Sequence, residues 1–160
     1  MPTSAAGSSH LRQTAAGFTL IELLVVVAII AFATAGVGFA LRDTARVGLD
    51  REAERLVALL EAGRAQARAS GAAVRWRVTQ QGFVFDGVPP GALPQGWQMA
   101  GVSAQPLDAA GRPVASLLLG PEPIIGAQQV LIRGEGPPTQ VLRLATDGLR
   151  PFSVVDPGSP

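Results

Sequence analysis

The sequence predicts an α+β fold in which one long N-terminal helix packs on a small antiparallel β-sheet head that follows it. Three observations predict it. An apolar run fills Gly17–Leu41, GFTLIELLVVVAIIAFATAGVGFAL, with Glu22 as its one carboxylate. Apolar and small residues then recur at Leu49, Ala53, Leu56, Leu60, Gly63 and Ala67, in alternating steps of four and three that draw one helical face. Beyond Ser70-Gly71 the period becomes two, and Pro- and Gly-rich turns cut the chain into short segments.

The apolar run is long. Leu23–Leu41 holds 19 residues without a charge, close to the ~18–20 that a helix needs to span a bilayer. The core of a cleaved secretory signal is shorter, roughly 7–15 residues. A carboxylate at the centre of a span costs on the order of 2.5–3.5 kcal/mol, and less near the interface. Glu22 sits at the edge, where the cost is reduced but still calls for a partner. No proline occurs between Phe18 and Val88. One continuous helix from about Phe18 to Ala69 is therefore expected, roughly 78 Å long at 1.5 Å per residue. Its first half spans the membrane and its second half buries the small-residue stripe. Arg46, Asp50, Arg51, Glu54, Arg55 and Glu61 fall mainly elsewhere and offer local ion pairs worth a few tenths of a kcal/mol each. Gly36 and Gly38 suit close helix–helix packing. Ser70-Gly71 is the expected stop.

After the stop, Ala73–Thr79 alternates Val and Trp with Arg75 and Arg77. Gln80-Gln81-Gly82 turns the chain into Phe83–Asp86, so a hairpin is expected with its aromatics toward the helix. Gly87–Gly96 reads as a loop, Trp97–Ala104 as a strand, Gln105–Pro113 as a loop and Val114–Leu119 as a buried strand broken by Gly120–Pro123. Gln129–Arg133 and Gln140–Ala145 form a second hairpin around Gly134–Pro138. Thr146-Asp147-Gly148 turns into a last strand, Arg150–Val155, and Asp156–Pro160 is a tail. Six or seven short antiparallel strands result.

Composition excludes much chemistry. All 13 basic residues are arginine, set against 12 acids, and they do not form a block. Cysteine is absent, and the one histidine, His10, lies before the apolar run. Without His, Cys or Lys beyond position 17 there is no histidine-based triad, Schiff-base lysine or Cys/His zinc site. No Gly-rich phosphate loop precedes a helix. Asp147 and Asp156 are too few and too scattered for a calcium cage. The expectation is a chain that is not an enzyme and needs no cofactor or metal.

Gly17-Phe18-Thr19-Leu20-Ile21-Glu22, followed by the apolar run, resembles the class III signal of type IV prepilins and type II secretion pseudopilins. The resemblance implies four parts. Residues 1–17 are a leader, cut between Gly17 and Phe18 by a prepilin peptidase, with N-methylation of Phe18. Residues 18–41 are the transmembrane helix and later the filament core. Residues 42–70 extend it as an amphipathic helix, and residues 71–160 are a periplasmic β-rich head. Glu22 then pairs with the N-terminal amine of a neighbouring subunit, which supplies its missing partner.

The C-terminal half resembles the GspH/FimT family. The matching residues are Val130-Leu131-Ile132-Arg133, the loop Gly134–Pro138, Thr139, Val141-Leu142-Arg143-Leu144 and Asp147-Gly148. Arg133 stands where that family usually has an aromatic. The resemblance implies a type IV pilin-like fold and a minor pseudopilin of type II secretion, at or near the tip of a periplasmic pseudopilus. Its partners would be major and minor pseudopilins, the prepilin peptidase, the inner-membrane assembly platform and the bilayer, with no nucleic acid. Its place would be the bacterial inner membrane, single-pass, with the head in the periplasm. The alternative is a minor type IV pilin of FimT/FimU kind, in pilus assembly or DNA uptake. In that reading Arg133, Arg143 and Arg150 touch DNA.

Overall fold

A 51-residue helix, α1 (Leu20–Ser70), leads into seven strands. The computed structural model describes residues 18–136 and 139–155, and excludes the side chains of residues 35–45. The leader Met1–Gly17, Pro137, Pro138 and the tail Asp156–Pro160 lie outside the described residues. The chain divides into two units, Met1–Gly38 and Phe39–Pro160.

Both ends of α1 follow from local chemistry. Thr19 is the N-cap: its Oγ1 accepts the Glu22 N–H at 3.3 Å, and its carbonyl accepts the N–H groups of Glu22 and Leu23. Thr19-Leu20-Ile21-Glu22 has the spacing of a capping box, with the carboxylate in the first turn where the helix dipole favours it. At the other end Gly71 takes a φ of +65°, the left-handed C-cap that glycine adopts without penalty. Ser70 Oγ donates to the Gln66 carbonyl in the same turn.

In the second unit two antiparallel sheets pack on the α1 stripe. One has the order β2-β1-β4, from β1 (Arg75–Thr79), β2 (Gly82–Asp86) and β4 (Leu117–Leu118). The other has the order β3-β5-β6-β7, from β3 (Val102–Asp108), β5 (Gln128–Gly134), β6 (Gln140–Thr146) and β7 (Ser153–Val155). Leu49, Ala53, Leu56, Leu60 and Ala67 are fully buried, as the spacing predicts. Gly63 belongs to the stripe because Leu119 and Phe85 approach it too closely for a larger side chain. Phe83 centres an aromatic cluster, with Trp97 at 4.7 Å, Phe85 at 5.9 Å and Trp76 at 6.0 Å between ring centroids.

Two devices join the sheets. The segment after β3 pairs first with β3, through Pro113 opposite Leu107, and then with β1 through β4. Gln128 opens β5, and its side-chain amide closes the free edge of β4. Its Nε2 donates to the Leu118 carbonyl at 2.8 Å, and its Oε1 accepts the Leu118 N–H at 3.0 Å. A side chain thus stands in for a strand backbone.

Two Glu–Arg pairs fasten loops to α1, and both have i,i+3 spacing. Glu52 pairs with Arg55 and accepts the N–H groups of Gln98 and Met99 at 3.0 and 3.1 Å, while Arg55 donates to the Gly96 carbonyl at 3.2 Å. Glu61 pairs with Arg64 and accepts the Phe152 N–H at 2.9 Å, while Arg64 donates to the carbonyls of Arg150 and Gly148. Nine residues separate the two glutamates. At about 100° per residue they fall on opposite sides of the helix, one either side of the stripe. Glu52 is 3% exposed and Arg64 is 4% exposed. Burial makes each partner necessary to the other, because a lone buried charge is penalised.

Three strands differ from expectation. The strand expected at Trp97–Ala104 lies at Val102–Asp108, so it starts five residues late and runs on into the segment expected to be a loop. Gln98 and Met99 give their N–H groups to Glu52 and leave the ladder. Pro106 is tolerated because β3 is an edge strand and its missing donor would face away from β5. Val114–Leu119 supplies only Leu117–Leu118, since Val114 N–H is bonded to Pro106. The last strand begins at Ser153, not Arg150, because the Glu61–Arg64 pair holds the chain before it. The two hairpins lie where the alternation places them.

Glu52→Ala should lower the stability of the Phe39–Pro160 unit by about 3 kcal/mol, because it strands Arg55 and two loop N–H groups. Glu54→Ala, on the exposed face, should change it by less than about 0.5 kcal/mol. Urea unfolding of the full chain in detergent, followed by tryptophan fluorescence, checks both.

Candidate functional site

The residues that the sequence singles out fall in three places. Glu22 and Phe18 lie at the start of α1, both exposed. From Leu20 to Ala33 the exposed side chains are apolar apart from Glu22. Glu22 is the third residue after the Thr19 cap, and its backbone N–H is the group that the cap accepts. Gly17, on the other side of the expected cleavage site, lies outside the described residues. Among the described residues no helix is long and apolar enough to cross a membrane. Positions 35–41, which complete the predicted Leu23–Leu41 span, are among those whose side chains are not described, and Gly36 and Gly38 fall there too.

Arg133 and Arg143 share the outer face of the four-stranded sheet. Arg133 pairs with Ser103 and Val141, and Arg143 with Leu131 and Val155. The strand alternation puts Ser103, Gln105, Leu107, Gln129, Leu131, Val141, Ala145, Ser153 and Val155 on that face with them, and no carboxylate. Shallow clefts lie on either side of Leu131, one lined in part by Arg133 and the other by Arg143. Arg150 stands apart in the turn beyond β6, and its contact with Asp147 is loose at 3.7 Å. Sequence reasoning placed the three arginines in one group, and the fold brings two of them to one sheet face. Arg75 and Arg77 alternate with buried Trp76 on β1, and Arg77 forms an exposed ion pair with Asp86 at 2.6 Å.

The third place is the turn Thr146–Arg150. Thr146 Oγ1 donates to the Arg150 carbonyl at 2.6 Å and accepts the Gly148 N–H at 2.9 Å. Asp147 Oδ1 accepts the N–H groups of Arg150 and Leu149 at 2.7 and 2.9 Å. Gly148 has a φ of +91°, and a Cβ there would run into the Ile125 carbonyl oxygen. The sequence marks Asp147-Gly148 as a turn. It does not mark the Glu61–Arg64 pair that anchors the turn to α1. The readable signal was Glu-x-x-Arg occurring twice, at Glu52–Arg55 and Glu61–Arg64.

Residues 12–38 match the prokaryotic N-terminal methylation motif. Among solved structures, the chain is similar to the crystal structure of the type IV minor pilin FimU of Pseudomonas aeruginosa. The identity is 16% and the TM-score 0.47, over 74% of this chain and 92% of that chain. Comparison with curated proteins gives no match.

The turn makes a pH prediction. Backbone N–H groups of Arg150 and then Leu149 hold the Asp147 carboxyl below the usual carboxylate range. Asp108, bonded to Arg112, is held low as well. An unfolded aspartate takes up its proton near pH ~3.9, and these folded ones do so only at lower pH. Between the two values the unfolded state binds more protons, so stability rises with pH. The contribution is complete above the unfolded value and is lost as pH falls through the folded one. The melting temperature should therefore drop below about pH 4. Asp147→Asn, which keeps the accepting oxygen, should flatten part of that drop in thermal melts between neutral pH and pH ~3.

Proposed function

We propose that this chain is a prepilin-like structural subunit that is processed at its N-terminus and assembled into a filament. The match of residues 12–38 to the N-terminal methylation motif carries this reading. That match spans the Gly17–Phe18 junction and Glu22. The support from the fold is the arrangement behind the motif, an apolar exposed helix start continuing into a helix that carries a β-sheet head. In this reading prepilin peptidase cuts between Gly17 and Phe18, and Phe18 is methylated. The apolar segment 18–41 anchors the chain in the inner membrane, with the head in the periplasm, and then becomes filament core. In the isolated chain the Glu22 backbone N–H closes the first helical turn on Thr19, and in the filament its carboxylate meets the N-terminal amine of a neighbour, fixing register between subunits.

The finer reading is a minor pseudopilin of type II secretion, with pseudopilins and the inner-membrane assembly platform as partners. A minor type IV pilin has the same support from the motif. The acid-free sheet face with Arg133 and Arg143 is the surface that a DNA-uptake role would use. The whole role is assembly, with no catalytic residue.

Glu22→Ala should leave processing and membrane association normal and abolish most assembly. Loss of exoprotein secretion with pili intact selects the pseudopilin, and loss of pili with secretion intact selects the pilin. Full retention of both in a strain that depends on this chain contradicts the role of Glu22.

A further inference from the structure

The Phe39–Pro160 unit has two dissimilar ends. At one end stands the Thr146–Arg150 turn. It presents Leu149, 68% exposed, beside Arg150, and the adjoining loop presents Ile124, 64% exposed. The two loops are tied by the Ile125 N–H on the Gly148 carbonyl, and the turn is tied to α1 by Arg64. Leu149 and Ile124 are thus large apolar side chains held outward on loops that are tied together. Fixing them lowers the entropy cost of contact with a partner.

At the other end is a cleft of about 340 Å³, lined among others by Val78, Gln81, Trp97, Met99, Gly101 and Ser103. It lies beside the start of the buried stripe. Met99 is held by Glu52, and Gly134, next to the cleft rim, packs on Leu49. From Leu49 to Arg64 the helix rises about 22 Å, at 1.5 Å per residue, so the turn and the cleft occupy opposite ends. Glu135 stands at the cleft rim. Its N–H donates to the Gly101 carbonyl at 2.8 Å, and its Oε2 lies 3.1 Å from where a Cβ at position 101 would be. Glu135 is exposed and has no ion-pair partner among the described residues.

We propose that the head stacks head-to-tail on a second copy of this chain, with Leu149 of one copy seated in the Trp97–Met99 cleft of the next and Arg150 paired with its Glu135. The complementarity is twofold: an apolar knob beside a cation at one end, and a half-apolar cleft beside a carboxylate at the other. The two surfaces differ, so the contact is heterologous and each copy leaves one of each surface free. Such contacts extend into open filaments unless rotation closes a ring. The contact deepens the subunit reading above and rests on it for the direction of stacking. The Glu61–Arg64 pair becomes a positioning pair, because it fixes the turn that carries the knob.

The chain has no cysteine, so engineered pairs report without background. Two differently tagged full-length copies are co-expressed in bacterial membranes, one with Leu149→Cys and the other with Gln81→Cys. Both positions are exposed, so neither change disturbs the core. The expected result is a 149–81 disulfide between tags, with little 149–149 or 81–81 product. Arg150→Glu in the first copy should cut the yield at least about fivefold, and Glu135→Arg in the second should restore it. Absence of the 149–81 product overturns the contact, as does an equal yield of 149–149 product or a failure of Glu135→Arg to restore. Processing of the unmodified chain at the Gly17–Phe18 junction is scored separately. A processed chain without the cross-link removes the contact and leaves the subunit reading. The cross-link in an unprocessed chain removes the subunit reading instead.

Discussion

The structure of the head depends on two half-buried carboxylate–guanidinium pairs set either side of one apolar helical stripe. The stripe alone explains why the sheets lie on α1. It does not explain why loops at both ends of the head hold fixed positions, because Gly96–Met99 and Gly148–Phe152 have few ladder bonds of their own. Glu52 and Arg55 supply acceptor and donor to the first loop, and Glu61 and Arg64 do the same for the second. Each pair fulfils a need that burial creates: loop backbone groups withdrawn from water must be bonded, and a buried charge must be matched. The nine-residue offset puts one pair on each flank of the stripe, so the helix is fastened to its head from both sides.

That fastening bears on function through rigidity. An assembling subunit gains from surfaces fixed before contact, since less freedom is then lost on association. The turn that carries Leu149 and Arg150 is held by its own Asp147 and Thr146 and by α1. The cleft at the other end is shaped by the loop that Glu52 holds. Residues 20–33 of α1 present apolar side chains around a single carboxylate, which suits a lipid or helix-lined environment. Residues that could run covalent chemistry are scarce throughout, and the structure uses its charged groups to bind backbone.

Much of the fold was legible in the sequence because it follows from periodicity. The stripe from Leu49 to Ala67, the Trp76–Phe83–Phe85 hairpin and the hairpin of β5 and β6 each obey a single repeating pattern. The parts that misled are those where tertiary contacts outweigh local pattern. Trp97–Ala104 looks like a strand by composition, but its first N–H groups are taken by Glu52, which is 46 and 47 residues away from Gln98 and Met99. Pro106 looks like a loop residue, yet an edge strand leaves its missing donor unneeded. Gln128 carries no sequence sign that its amide will complete another strand's ladder. Of the candidate site, the N-terminal methylation motif was legible as a pattern in residues 12–38, and so was the Asp147-Gly148 turn. The knob and the cleft were not, because each is assembled from segments distant in the chain.

The central claim is that this chain is processed as a prepilin-like subunit, and the intact mass of the mature protein tests it most directly. The full chain is recovered from the membranes of a bacterium that carries a prepilin peptidase, and its N-terminus is read by mass spectrometry. The account predicts a protein that begins at Phe18, carries one added methyl group on the new amine and lacks residues 1–17. An N-terminus at Met1, or one beyond the apolar run, would contradict it.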